Sequence, residues 1–303
     1  VLDAHRIRHR AIELDGVNLF YREAGRPDAP GLLLLHGQPS SSYSFRDVIS
    51  PLAGVARVVA PDLPGFGFTE APDDYAYTFD AMARTIDALT RRIGLERFFL
   101  YVHDFGAPVA YYLALARPDR VLGLIIQNGN AHEEGLGPDW EPNKAYWADP
   151  TPENRAKLPE WLNFEGVRHT YVGDIPDRLK PLFAPEGWHL DWERMSRPGL
   201  VEIQFRIFED YGRYVARFPD ISAWHREHQP PALMIWGRHD PYFEIEEVLA
   251  YARELDRLDM HIYDGAHLLL ETHHQECAAL MREFILNVQA GADDPAPSAS
   301  PVQ

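Results

Sequence analysis

The stretch from Phe98 to Pro118 constrains this chain more than any other. Phe98-Phe-Leu-Tyr-Val102 is an apolar run without polar alternation, the pattern of a strand buried on both faces. Val109 to Ala116 is small and apolar at helical spacing, and Pro118 stops it. Between them, His103-Asp104-Phe105-Gly106 reads as a strand-to-helix turn with one acid at its tip. Such a turn is an elbow that exposes a reactive side chain at the carboxyl end of a parallel strand. Elbows usually carry Ser with Gly on either side; this one carries Asp104 between His103 and Phe105. A helix capped by an Asp has the same local pattern, so the rest of the chain must decide.

Taken in order, the chain predicts a hairpin from about Arg8 to Ala24 with its turn at Asp15-Gly16, then a short buried strand at Leu32 to Leu35. That strand runs into His36-Gly37-Gln38-Pro39 and Ser40 to Ser42. A helix from Phe45 to Leu52, a strand from Arg57 to Ala60, a helix from Thr78 to Gly94, the elbow and a strand from Val121 to Gln127 follow. Strands and helices alternating over short connections predict an α/β fold with a mostly parallel sheet. From Asn128 to about His228 the chain is rich in Trp, Pro, Tyr, Arg and acids, with helices expected at Pro152 to Leu158, Pro176 to Leu182, Asp191 to Met195 and Gly199 to Arg217. The sheet pattern resumes at Pro231 to Trp236, with a helix through Glu244 to Glu254, a strand at Met260 to Tyr263 and a helix to Val288. The expected organisation is a core over residues 1–130, a helical cap over 131–228, the rest of the core over 229–289 and a disordered tail over 290–303.

A formal charge of −17 argues against nucleic-acid phosphates and anionic membranes as partners. The single cysteine, Cys277, excludes an internal disulfide and reads as a buried helical thiol. No apolar run approaches the roughly 20 residues of a membrane span, no secretory leader is recognised ahead of the fold, and a cytoplasmic location is expected.

Asp104, Asp240 and His267 all stand at expected strand ends, and in that order along the chain. Nucleophile, acid, histidine is the order of the α/β-hydrolase fold. On these residues the sequence resembles the aspartate-nucleophile branch of the α/β-hydrolase superfamily, the epoxide hydrolases and haloalkane dehalogenases, from about Leu14 to Val288. His36-Gly37-Gln38-Pro39 is similar to the family's oxyanion-hole motif, whose proline is expected to be cis, and Gly65-Phe-Gly-Phe-Thr69 to a motif typical of epoxide hydrolases. The resemblance implies an alkyl ester formed on Asp104 and then hydrolysed by a water that His267, oriented by Asp240, activates. It implies the Gln38 and Phe105 N–H groups as oxyanion donors, and substrate contacts at His36, Gly37, Pro39, His103, Trp147 and Tyr171.

The leaving group divides the family. Dehalogenases usually cradle the halide with a Trp directly after the nucleophile, where this chain has Phe105, plus an Asn where it has Gln38. Fluoroacetate-type enzymes place two Arg just after the nucleophile; Phe105 and Pro108 stand there. Some dehalogenases take their acid at the position of Asn128, which cannot serve, so Asp240 is expected to be the acid. An epoxide needs a proton donor, which relatives supply from two cap tyrosines; Tyr211 and Tyr146 are expected to fill these places, with Tyr171 and Tyr214 as rivals. Trp140, Trp147, Trp161, Trp188 and Trp192 are expected to pack the cap or line an aromatic pocket.

His132, His169 and His189 lack metal-ligand spacing, and Gly65-Phe-Gly67 lacks the third glycine of a dinucleotide loop, so no metal and no cofactor is expected. The expected partner is a small apolar or aromatic organic substrate, with homodimerisation left open. An epoxide hydrolase is the first reading, a haloalkane or haloacid dehalogenase the second, and a non-catalytic ligand-binding member of the fold the third.

Overall fold

The computed structural model describes residues 4–158 and 161–293. Strands β1 (Arg8–Leu14) and β2 (Val17–Ala24) form the hairpin, turning on Asp15 and Gly16, both at positive φ as a tight two-residue turn requires. There follow β3 (Gly31–Leu34), α1 (Arg46–Leu52), β4 (Arg57–Pro61), α2 (Phe79–Arg92), β5 (Phe98–Val102), α3 (Gly106–Ala116) and β6 (Val121–Gln127). The eight-stranded sheet has the order β1-β2-β4-β3-β5-β6-β7-β8, where β7 spans Ala232–Gly237 and β8 spans Leu258–Tyr263. β1–β2 and β2–β4 pair antiparallel; every other pair is parallel.

Side chains alternate across the sheet and build a core on each face. Leu33, Leu100, Ile126 and Met234 pack on one side with α2 and α3. Leu32, Leu34, Phe99, Ile125 and Ile235 pack on the other with α1 and α11 (Leu270–Asp293). Each fully buried Leu or Ile contributes about 1.5–3 kcal/mol. Thr78 caps α2 by accepting from Ala81 N at 3.2 Å, and Pro118 follows Arg117, the C-cap of α3. A Cβ on Gly106 would lie 2.3 Å from the Leu35 carbonyl oxygen, so glycine there lets α3 approach β3 closely.

Between β6 and β7 the chain is helical: α4 (Glu141–Ala148), α5 (Pro152–Arg155), α6 (Phe164–Val172), α7 (Glu186–Met195), α8 (Leu200–Val215) and α9 (Phe218–His228). The helix expected at Pro176 to Leu182 does not form; that segment is turns ending in a 3-10 turn at Lys180–Leu182, with Pro181 inside it. α7 begins at Glu186, five residues before its expected start, with Pro185 at its N-cap. α10 (Glu246–Glu254) and α11 complete the core. α11 continues to Asp293, so the first residues of the expected tail are helical; the remainder, 294–303, lies outside the described residues. No described helix is long and apolar enough to cross a membrane.

Candidate active site

The parallel register brings the ends of β5, β6, β7 and β8 level: Val102 pairs with Ile126, Gln127 with Ile235, and Gly237 with Tyr263. Asp104, Asn128, Asp240 and His267 follow those ends and meet there. Asp104 has φ of 42°, a left-handed backbone that costs a residue with a Cβ about 1–2 kcal/mol. The rigid strand and helix on either side impose it, and it turns the carboxylate out of the sheet.

Oδ1 of Asp104 accepts the backbone N–H of Gln38 at 2.6 Å. Of the two expected backbone donors, Gln38 makes this bond and Phe105 does not. Gln38–Pro39 is cis, as expected. A Cβ on Gly37 would fall 2.3 Å from the Asp104 Cβ, so only glycine lets the loop after β3 lie against the elbow. Oδ2 of Asp104 faces His267 Nε2 at 3.4 Å, beyond a good hydrogen bond, and that nitrogen has no hydrogen-bond partner. His267 Nδ1 donates to Asp240 Oδ2 at 2.9 Å.

Asp240 is held from every side. Its Oδ1 accepts the N–H groups of Tyr242 and Phe243 at 2.7 and 3.3 Å, and its Oδ2 accepts Asn128 Nδ2 at 2.8 Å as well as His267. Asn128, discounted as an acid, is thus the acid's support. It also accepts the Gly237 N–H at 2.9 Å and donates to the Gly237 carbonyl at 3.0 Å. The sequence carried a signal for this, an Asn at a strand end, and in the structure it stands at φ 40°.

Burial disfavours the charged form of His267, but Asp240 and Asp104 on its two sides outweigh it and push its pKa up to about 10. Burial likewise works against an ionised Asp104, yet His267 and the Gln38 N–H hold its carboxyl below the usual range.

An aromatic arc closes over this set. The Phe105 ring lies 5.7 Å from Tyr211, which lies 5.5 Å from Trp140, which stacks on Phe243 at 5.8 Å, itself 5.8 Å from the His267 ring. Tyr242, on the loop after β7, packs edge-on against His267 at 5.0 Å and donates its phenol to Thr170. Neither Tyr242 nor Phe243 was expected here.

The other expected contacts are bonded elsewhere. Tyr211 is fully buried, with its phenol on Asn130 Oδ1 at 3.2 Å. Tyr146 gives its phenol to Glu209, Tyr214 to the Asn130 carbonyl, and Tyr171 to Asp191 at 2.5 Å. The structure therefore does not bring Tyr146 to the elbow: its place on α4 turns it toward α8. Trp147 packs on Tyr211 and donates its indole N–H to the Phe208 carbonyl; the Trp140 indole donates to the Tyr242 carbonyl. His36 is wholly buried, donating from Nδ1 to Gly37 O and accepting Leu63 N at Nε2, so it braces two loops and has no atom left for a ligand. His103 donates to the Gln127 carbonyl and lines, with Tyr171 and Leu268, a cavity of about 10 Å³, room for one water; burial pushes its pKa down to about 4. Pro39 borders a second cavity of similar size beside Asp191. The Gln38 side-chain Nε2 is buried without a hydrogen-bond partner.

A family model for the alpha/beta hydrolase fold matches residues 30–274. The chain belongs to this family of hydrolases. It is 38% identical over 270 residues, 88% of this chain and 92% of the relative, to the uncharacterized hydrolase YNR064C of Saccharomyces cerevisiae. A haloalkane dehalogenase of Bradyrhizobium diazoefficiens is 42% identical over 111 residues, 37% of this chain and 36% of that one. Epoxide hydrolase 2 of Siraitia grosvenorii is 38% identical over 122 residues, 40% of this chain and 38% of that one. Over these partial stretches the chain is thus similar to both a haloalkane dehalogenase and an epoxide hydrolase.

Proposed function

We propose that this α/β-hydrolase opens small apolar or aromatic epoxides to vicinal diols through an ester on Asp104. The observation that carries the reading is the division of labour between the two Asp104 oxygens. Oδ1 is bonded to the Gln38 N–H, while Oδ2 faces His267 with no hydrogen bond to hold it. Oδ2 attacks a ring carbon, the C–O bond breaks with its electron pair going to the ring oxygen, and that oxygen takes a proton. Oδ1 becomes the ester carbonyl oxygen, already facing the donor that the tetrahedral intermediate needs.

Ester formation removes one of the two carboxylates that keep His267 protonated. The imidazole then loses its proton nearer neutral pH and takes one from a water that attacks the ester carbonyl. As the tetrahedral intermediate collapses, the ester C–O bond breaks and the leaving oxygen takes the proton held by His267; the diol departs, and the proton shed as Asp104 returns to carboxylate restores the phenol that protonated the ring oxygen.

An epoxide fits the donors better than a halide does. The two indole N–H groups of the aromatic arc, on Trp140 and Trp147, are given to backbone carbonyls, and Phe105 has no N–H in its ring. For the ring oxygen we assign the Tyr211 phenol, turning from Asn130, together with the Gln38 amide. The dehalogenase reading keeps one specific support, since the unpaired Gln38 Nε2 would also receive a halide. Turnover of styrene oxide beside a bromoalkane, following diol and bromide, tests the assignment; faster bromide release overturns it.

A further inference from the structure

A second cluster lies away from Asp104, where the end of the helical insertion meets the core. His132 follows β6, His225 is on α9, and Glu254 ends α10. Glu254 Oε2 accepts His132 Nε2 at 2.9 Å and His225 Nδ1 at 2.9 Å, so two imidazole nitrogens converge on one carboxylate oxygen. The three donor atoms lie within 4.8 Å of one another, and all three residues are buried.

We propose that His132, His225 and Glu254 bind a borderline divalent cation of the Zn²⁺ class, which ties the inserted helices to the core. Two nitrogens and a carboxylate oxygen are the donor set this class takes, at bonds of about 2.0–2.2 Å.

The outer contacts are those that orient metal-binding imidazoles. His132 Nδ1 lies 2.9 Å from Glu247 Oε1, a carboxylate itself fixed by the Ala131 N–H at 2.7 Å and Asn130 Nδ2 at 3.1 Å. His225 Nε2 lies 3.2 Å from the Tyr111 hydroxyl, which bonds Tyr251 at 2.9 Å. Each far nitrogen is thereby occupied, which leaves the near nitrogen to give its lone pair to a cation once its proton has left. Arg226 bonds the other Glu254 oxygen at 2.8 Å and is largely exposed, so its swing opens the path from solvent and frees that oxygen. Spacing along the chain hides the set, because its members come from three separate elements.

The test uses the full chain, stripped with chelator and then incubated with Zn²⁺ alone. Expected are about one zinc per chain after gel filtration and a Tm raised by several degrees. In His225→Ala with Glu254→Gln, both effects should vanish. Should that variant not fold, Arg226→Ala serves: its side chain is on the surface, and removing its positive charge should tighten zinc binding several-fold. Wild-type protein that retains no zinc and shows no Tm shift overturns the site. So does equal zinc retention in the double variant, or an Arg226→Ala affinity no tighter than wild type. None of these outcomes depends on the reaction at Asp104.

Discussion

The backbone N–H of Gln38 stands 2.6 Å from Asp104 Oδ1, and the Cα of Gly37 is packed against the same side chain. Loop and elbow are one unit: the donor is in place before any substrate arrives, so it costs no reorganisation during the reaction.

Gly37→Ala is therefore expected to damage activity far more than stability. The new methyl must displace either the donor loop or the Asp104 side chain, and losing one such donor costs about 10²–10³ in kcat. Steady-state kinetics beside a thermal melt checks this; a folded variant with wild-type kcat contradicts the pre-formed donor.

Asn128→Ala removes one of the two side-chain donors to Asp240 Oδ2 and unpairs Gly237 on β7. Leaving buried groups unsatisfied costs about 1–3 kcal/mol, so the urea midpoint should fall. With Asp240 less firmly held, hydrolysis of the ester should slow more than its formation. Single-turnover measurements would separate the two steps, and equal slowing of both sinks the positioning role.

How much of this was legible beforehand differs between backbone and side chains. The elbow was readable because a two-sided buried strand, a polar turn and a small-residue helix each have their own pattern, and the parallel sheet followed from repeated alternation. The meeting of Asp104, Asp240 and His267 was readable because each followed a strand whose end the register brings level. The helical insertion was legible as a region, and α8 lies close to its expected bounds, but the bounds of its shorter helices were not. Pro152 opens α5 and Pro185 caps α7, Pro176 and Pro181 lie in a segment that forms only a 3-10 turn, and the helices are packed by aromatic stacking that has no period along the chain. Which way Tyr146 and Tyr211 point depends on Glu209 and Asn130, partners 63 and 81 residues away that no local pattern announces.

The raised pKa of His267 has a consequence for stability. Its folded value of about 10 lies above the ordinary 6.5, so the folded state binds that proton more tightly than the unfolded chain does. This contribution is fully present below about pH 6.5 and is lost as pH rises toward 10. The difference in urea midpoint between wild type and His267→Gln should accordingly shrink from neutral to alkaline pH. A difference that stays constant over that range contradicts the paired imidazolium.

Leaving-group assignment is tested by two variants on two substrates. Tyr211→Phe should slow epoxide opening, within the roughly 10²–10⁴-fold expected of general-acid help, and barely affect bromoalkane turnover, because a halide leaves without a proton. Gln38→Ala should impair both. If Tyr211→Phe leaves epoxide turnover unchanged, the Tyr211 phenol keeps its bond to Asn130 throughout and is not the donor.

The central claim, an ester on Asp104 that His267 helps to hydrolyse, meets its most direct test in intact-protein mass spectrometry of His267→Gln mixed with styrene oxide. The first half-reaction needs no base, so the account predicts a stable adduct of one substrate mass, mapping to the peptide that contains Asp104 and absent when Asp104→Ala is added. A folded His267→Gln protein that carries no adduct, or carries it on another residue, would contradict it.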